Sequence, residues 1–169
     1  MPGFRQIEEG EWQVGDYRTF AILPYGRNEL EKRLGAKYFE YRDADLGDSC
    51  GAFFISNSGV QFMVEHRLEA PFPEPYTNLN GLNRGQTIDD EEFLTEDLEE
   101  LLIATGISSS ELFWVHPSIK FQPHEVWRQD DNGNQFLVQK MPCRADAAQL
   151  VDTLTARGHK QVYWAIASS

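Results

Sequence analysis

The chain has 169 residues, 41% apolar and 12% aromatic, enough to pack one ordinary domain or a domain with a small appended unit, and too apolar for global disorder. Asp and Glu number 27 against 15 Lys and Arg, a formal net charge of −12. Phosphate contacts need a basic surface, so direct binding of nucleic acid or of an anionic membrane is not expected. No apolar run approaches the roughly 20 residues that cross a bilayer. The N-terminus shows no charged start followed by an apolar block, so a cytoplasmic address is expected. Two cysteines, Cys50 and Cys143, are too few for a disulfide framework and are expected as reduced thiols, at least one of them buried.

Taken in order, Tyr17 to Leu23 ends in an apolar run that suits a strand entering a core, and Pro24 stops it. Gly26 to Leu34 predicts a short amphipathic helix, with Leu30 and Leu34 four apart and Gly35 as its left-handed stop. Lys37 to Arg42 is a predicted strand. Cys50–Ile55 and Val60–Glu65 flank Ser56-Asn57-Ser58-Gly59, a predicted hairpin whose second arm alternates as a half-buried strand does. Residues 69–90 carry three prolines, two glycines and three asparagines, which predicts an exposed loop. Phe72 and Tyr76 in it are either staples onto the core or exposed anchors for a partner.

An acidic run follows. Asp89, Asp90, Glu91, Glu92, Glu96, Asp97, Glu99 and Glu100 place eight acids in twelve residues without one base. Thr95 is a good N-cap, and the spacing predicts a helix from Thr95 to Thr105 with Gly106 as its stop. Leu98, Leu101 and Leu102 form its apolar stripe, leaving Glu96, Glu99 and Glu100 toward water. Charge runs of this kind are either a solvated helix face or a recognition surface for Lys and Arg groups. The sequence then predicts a turn at Ser108–Glu111, a short strand at Leu112–Val115 and a proline-flanked connector from Pro117 to Pro123.

The acidic excess ends near residue 121. Residues 121–169 hold five acids (Glu125, Asp130, Asp131, Asp146, Asp152) and five bases (Arg128, Lys140, Arg144, Arg157, Lys160), so the entire −12 belongs to residues 1–120. A division into an acidic 1–120 domain and a 121–169 unit packed on it is expected, possibly as one continuous domain. In that unit Val126–Gln129 and Gln135–Lys140 flank the turn Asp130-Asp131-Asn132-Gly133-Asn134. Ala147, Leu150, Val151 and Leu154 mark a helix over Arg144–Arg157, and Gln161–Ile166 is the returning strand: a ββαβ unit. The fold class is therefore α+β, a mainly antiparallel sheet with about three helices.

The signatures W-R-Q-D-D-N-G-N-Q-F (Trp127–Phe136) and R-G-H-K-Q-V-Y-W (Arg157–Trp164) resemble those of short, uncharacterised bacterial proteins with the same arrangement. The strand–helix–strand order is also similar to half of a SPOR-type repeat, the peptidoglycan-binding fold. The resemblance covers one supersecondary unit at the C-terminal end. It implies a glycan- or peptide-binding accessory role and supplies no catalytic residue.

Asp130, Asn132 and Asn134 occupy calcium-loop positions one, three and five, but Gln135 and Met141 replace the Gly and Glu that such a loop needs, so these side chains are expected to close a turn. His66, His116, His124, His159 and Cys143 lack metal-ligand spacing, and no cofactor or metal is expected. A Cys50–His or Cys143–His159 nucleophile pair lacks an orienting third group beside it in the sequence. His159 and Lys160, beside Arg157, suit a helix C-terminus. The leading expectation is a non-enzymatic binding protein, most concretely a bacterial immunity protein that neutralises a basic, nuclease-like toxin. Its expected contacts are Asp89, Asp90, Glu91, Glu92, Glu96, Glu99, Glu100, Phe72 and Tyr76. The alternatives are a small enzyme of unrecognised type, with its cleft between the N-terminal sheet and the proline-rich loop and titratable groups such as His66, Cys50 or His159 in it, and the glycan- or peptide-binding role.

Overall fold

The computed structural model describes residues 3–8, 10–12, 17–43, 47–57, 59–68, 76–82, 91–158 and 160–169; for Asp43, Leu82 and residues 91–94 it describes the backbone alone. In chain order the elements are β1 (Phe4–Gln6), β2 (Tyr17–Leu23), α1 (Arg27–Leu34), β3 (Phe39–Asp43), β4 (Gly47–Ser56), β5 (Gln61–Arg67) and β6 (Thr77–Leu82). There follow α2 (Glu91–Thr105), a 3-10 turn (Ser109–Glu111), β7 (Trp114–Val115), β8 (His124–Gln129), β9 (Gln135–Met141), α3 (Arg144–Ala156) and β10 (Val162–Ala167). The protein is α+β, and among the described residues every strand pair is antiparallel.

Seven strands form the larger sheet in the order β1-β4-β5-β6-β2-β7, with β3 also paired to β4. The ten-residue β4 is long enough to pair β3 along its first half and β1 along its last three residues. Alternation then sorts the side chains to two faces. Ala52, Phe54, Phe62, Val64 and Leu79 join Leu30 of α1 and Leu98, Leu101 and Leu102 of α2 in the main core. Phe53 and Met63 point the other way, into a smaller cluster with Ile7, against which Trp12, Tyr17 and Tyr41 pack. Consequently β5 is buried on both faces instead of half-buried as its alternation predicted: Gln61, Met63 and Glu65 are as enclosed as Phe62 and Val64.

The segment predicted as an unbroken loop contains β6, a strand hydrogen-bonded to β5 on one side and β2 on the other. Asparagine and glycine disfavour strands in isolation, and here two flanking strands override that preference. Thr77 and Leu79 are fully or almost fully buried, and the buried Asn80 is satisfied by a polar network. Asn80 donates to Glu65 at 2.8 Å and accepts from the Thr19 hydroxyl at 2.7 Å, and Tyr41 donates to Glu65 at 2.6 Å. A buried carboxylate with two donors is tolerated where an unpaired one would not be.

The smaller sheet has the order β10-β8-β9, joined by the predicted turn. Asp130 accepts from the amides of Asn132 and Asn134 and from the Asn134 side chain, and Gly133 takes φ 83°, which a residue with a Cβ adopts poorly. The Asp130 carboxylate is therefore occupied within the turn itself. Cys143 and Ala145, at the start of α3, belong to the same buried cluster as the larger sheet. No described helix is long and apolar enough to cross a membrane.

On α2, Asp97 is 7% exposed, with one buried carboxyl oxygen that has no hydrogen-bond partner among the described residues. Burial pushes its pKa from 3.8 up to about 6; the Ser56 hydroxyl opposes the rise, and the charges of Glu96 and Glu100 add to it. A carboxyl raised on folding favours the folded state most when protonated. That contribution is complete below the unfolded value and is lost as pH climbs through about 6, a decline of roughly 3 kcal/mol by linkage. Asp97→Asn, which stays neutral, is expected to be more stable than the parent at pH 8 and to lose that advantage near pH 4. Urea denaturation at the two pH values measures the difference.

Candidate functional site

The acidic run lies on and before α2. That helix starts at Glu91, four residues earlier than predicted, so Thr95 is an interior residue and not the N-cap. It is buried, and its hydroxyl accepts the Lys120 amide at 3.4 Å. Gly106 ends the helix with φ 67°, as expected. Because α2 packs Leu98, Leu101 and Leu102 inward, the acids divide by position. Glu96 is exposed.

Glu99 is a correction: it is 6% exposed and does not face water. Its carboxylate accepts from the Arg144 backbone amide at 2.8 Å and from the Arg144 guanidinium at 3.3 Å, while Glu100 takes the same guanidinium at 2.7 Å. Arg144 begins α3, so Glu99 supplies the negative group that the positive end of that helix prefers. Burial alone would lower the Arg144 pKa, but Glu100 and Glu99 together hold it raised. Two of the expected partner contacts thus join helices inside the protein. Asp89, Asp90 and Phe72 lie outside the described residues, as do the side chains of Glu91 and Glu92.

A second contact to α3 lies beside the first. Asp146 is 4% exposed, and burial raises its pKa, yet hydrogen bonds from the Ser109 hydroxyl and amide, with Ser108 and Cys143, hold it below the ordinary carboxylate value. Ser108 caps the 3-10 turn, with Glu111 closing a capping box, and Glu111 also accepts from the Tyr25 hydroxyl at 2.6 Å. Side-chain capping of this kind fixes the approach of the turn to the helix.

Tyr76 packs on Phe113, with ring centroids 4.7 Å apart. Phe113, just before the edge strand β7, is 64% exposed and Trp114, on it, 38% exposed, and Trp114 meets His116 edge-on at 5.8 Å. The sequence placed Phe113 and Trp114 in a short strand but not at a surface. Their exposure follows from β7 being an edge held by only two register pairs to β2. The chain runs on from this aromatic group to Lys120, whose amide bonds Thr95 beside Glu96. Tyr76 and Phe113 are in contact, with Trp114 next in the chain, and Glu96 lies apart from them on α2; these are the described parts of the candidate site.

A cavity of about 370 Å³ opens at the start of α1, lined by Gly26, Arg27, Asn28, Glu29, His66 and Leu68. Register puts Cys50 opposite His66 across β4 and β5, the pair considered as nucleophile and base. Cys50 is fully buried, and burial raises its pKa above the ordinary thiol value despite the nearby Arg27 guanidinium. The His66 ring nitrogen Nδ1 bonds the Tyr76 carbonyl at 3.1 Å. A protonated thiol with no exposed surface is a packing group, since nucleophilic cysteines are accessible thiolates. Cys143 is likewise fully buried, its thiol pushed up to about 11 by burial; His159 lies outside the described residues. Among the described residues no three His, Cys, Asp or Glu side chains are grouped to hold a metal ion.

No protein-family model matches the chain, and no curated protein and no solved structure matches it.

Two outcomes check this assignment of roles. Glu99→Ala is expected to cost about 2 kcal/mol in urea denaturation, because it leaves the first amide of α3 and the Nε of Arg144 without an acceptor while Glu100 keeps the rest of the guanidinium. Glu96→Ala is expected to stay within about 0.5 kcal/mol of the parent, as exposed substitutions do. In the native protein both cysteines are expected to react with Ellman's reagent only as fast as the chain opens. Prompt labelling of either at pH 8 contradicts their placement.

Proposed function

We propose that the chain is a binding protein whose partner is a basic protein. In its most concrete form it is a cytoplasmic bacterial immunity protein that neutralises a cognate nuclease-like toxin by covering that toxin's cationic surface. The observation that carries this reading is the charge distribution: all of the net −12 belongs to residues 1–120. Opposite fields accelerate encounter and orient the partners, and exposed aromatic rings then supply the apolar anchor that interfaces favour. Glu96 and the Asp89–Glu92 run beside it in sequence offer the charge, and Tyr76, Phe113 and Trp114 offer the anchor. Glu99 and Glu100 are engaged with Arg144 and contribute only to the long-range field.

An enzymatic reading is less well supported, because the thiol beside His66 is buried and protonated.

The test is titration of a toxin encoded beside this gene, by calorimetry and stopped-flow. Reversing Glu96, Asp89 and Asp90 to Lys is expected to slow association by about tenfold at low salt, with a smaller effect at high salt, as for steering charges. Phe113→Ala is expected mainly to speed dissociation, by about tenfold or more if it is an interface anchor. Unchanged kinetics in both variants, with binding intact, remove the site; no binding to any co-encoded basic protein removes the function.

A further inference from the structure

One face of the smaller sheet carries α3, which lies chiefly over β10 and β8 and leaves Phe136 and Val138 of β9 42% and 38% exposed; the other face is open. Alternation points Val126 and Trp127 to opposite sides of β8. Val126 has no exposed surface, and register sets the small residue Ala165 beside it, so this is the face on which α3 lies. On the other face Trp127 is flanked directly by Trp164 of β10 and Leu137 of β9. Val162 and Ile166, two positions either side of Trp164, share that face by the same alternation. Leu137, Val162 and Ile166 keep 44%, 63% and 46% of their surface exposed. At one end the Trp127 indole donates to Glu125, which also pairs with Lys140 at 2.9 Å; the Lys140 side chain is 68% exposed.

We infer that this face is the contact between two copies of the chain, stacked sheet against sheet through Trp127, Trp164 and Leu137. Electrostatics select the occupant. Each copy carries −12 in residues 1–120 and no net charge in residues 121–169. Two copies meeting through their acidic parts would oppose like fields, whereas this face brings neutral surfaces together. A strongly basic or acidic partner finds no excess of countercharge here. A second copy does find its complement: under two-fold symmetry the patch meets itself, and Glu125 and Lys140 of one copy can each face the opposite sign on the other. Stacking two three-stranded sheets about 10 Å apart also completes the two-layer arrangement that a sheet with an apolar face requires. The acidic part of each copy stays free for the partner proposed above, so either inference can fail without the other.

Sedimentation velocity of the full chain across the micromolar range tests it. The expected result is a species of twice 19.4 kDa that dissociates on dilution. Leu137→Lys with Ile166→Lys is expected to raise the dissociation constant by at least about thirtyfold, the loss associated with a hot-spot residue, with an unchanged circular dichroism spectrum. If that variant does not fold, Leu137→Cys is to be linked with a short bis-maleimide, with Asp152→Cys, exposed on α3, as the control. Linking of Leu137→Cys alone supports the contact. A monomer at every concentration, or equal linking of the two cysteines, overturns it. A monomer whose tryptophan fluorescence shifts on titration with glycan oligomers also overturns it, and assigns the face to a sugar.

Discussion

Glu99 and Arg144 stand between two helices that the chain places 45 residues apart, and the rest of the arrangement follows from their meeting. One carboxylate oxygen accepts the first amide of α3 and the other accepts its guanidinium, so a single side chain both ends one helix's unsatisfied backbone and fixes the neighbouring helix's angle of approach. Once α3 is anchored there, Cys143 and Ala145 close the edge of the main core, and the small sheet is carried into place behind them. Gln149 strengthens the same junction by donating to the carbonyls of Leu102 and Ile107. The unit that is neutral in charge is thus tied to the acidic part by an acid from that part.

The internal use of acids is a recurring property of the fold. Glu65 collects Tyr41 and Asn80 inside the larger sheet, Asp146 collects Ser109, and Asp97 lies buried against Ser56. Each satisfies or burdens a packed interior and leaves the exposed face less densely anionic than the residue count suggests. The formal charge still acts at a distance, because a field depends on net charge rather than on which carboxylate faces the solvent. This separates the two parts a recognition surface needs: attraction over distance from the whole lobe, and short-range contact from the few groups that protrude, such as Glu96 and Phe113.

The two open aromatic areas differ in the same terms. The group around Tyr76 and Phe113 belongs to the acidic part and lies beside an edge strand that carries Trp114. The stripe of Trp127, Trp164 and Leu137 crosses all three strands of the neutral unit. Apolar area is non-directional, so neither stripe specifies a partner by itself. The surrounding charge makes the distinction, favouring a cationic protein at the first and an uncharged, self-complementary surface at the second.

Local patterns carried much of the architecture. Leucine spacing and the glycines after them marked α1, α2 and α3, an apolar run ended by Pro24 marked β2, and turn residues, with alternation in β5, marked the β4–β5 and β8–β9 hairpins; these signals involve only residues near one another in sequence, which is why they are legible there. The tertiary structure decided what depends on distant partners. It made Thr77–Leu82 a central strand because two strands flank it, and it buried both faces of β5. It turned Glu99 inward because Arg144 lies within reach, a fact that no helical period contains. Charge and periodicity follow from the chain alone, whereas whether a given carboxylate meets water or another side chain is set by what folding brings beside it.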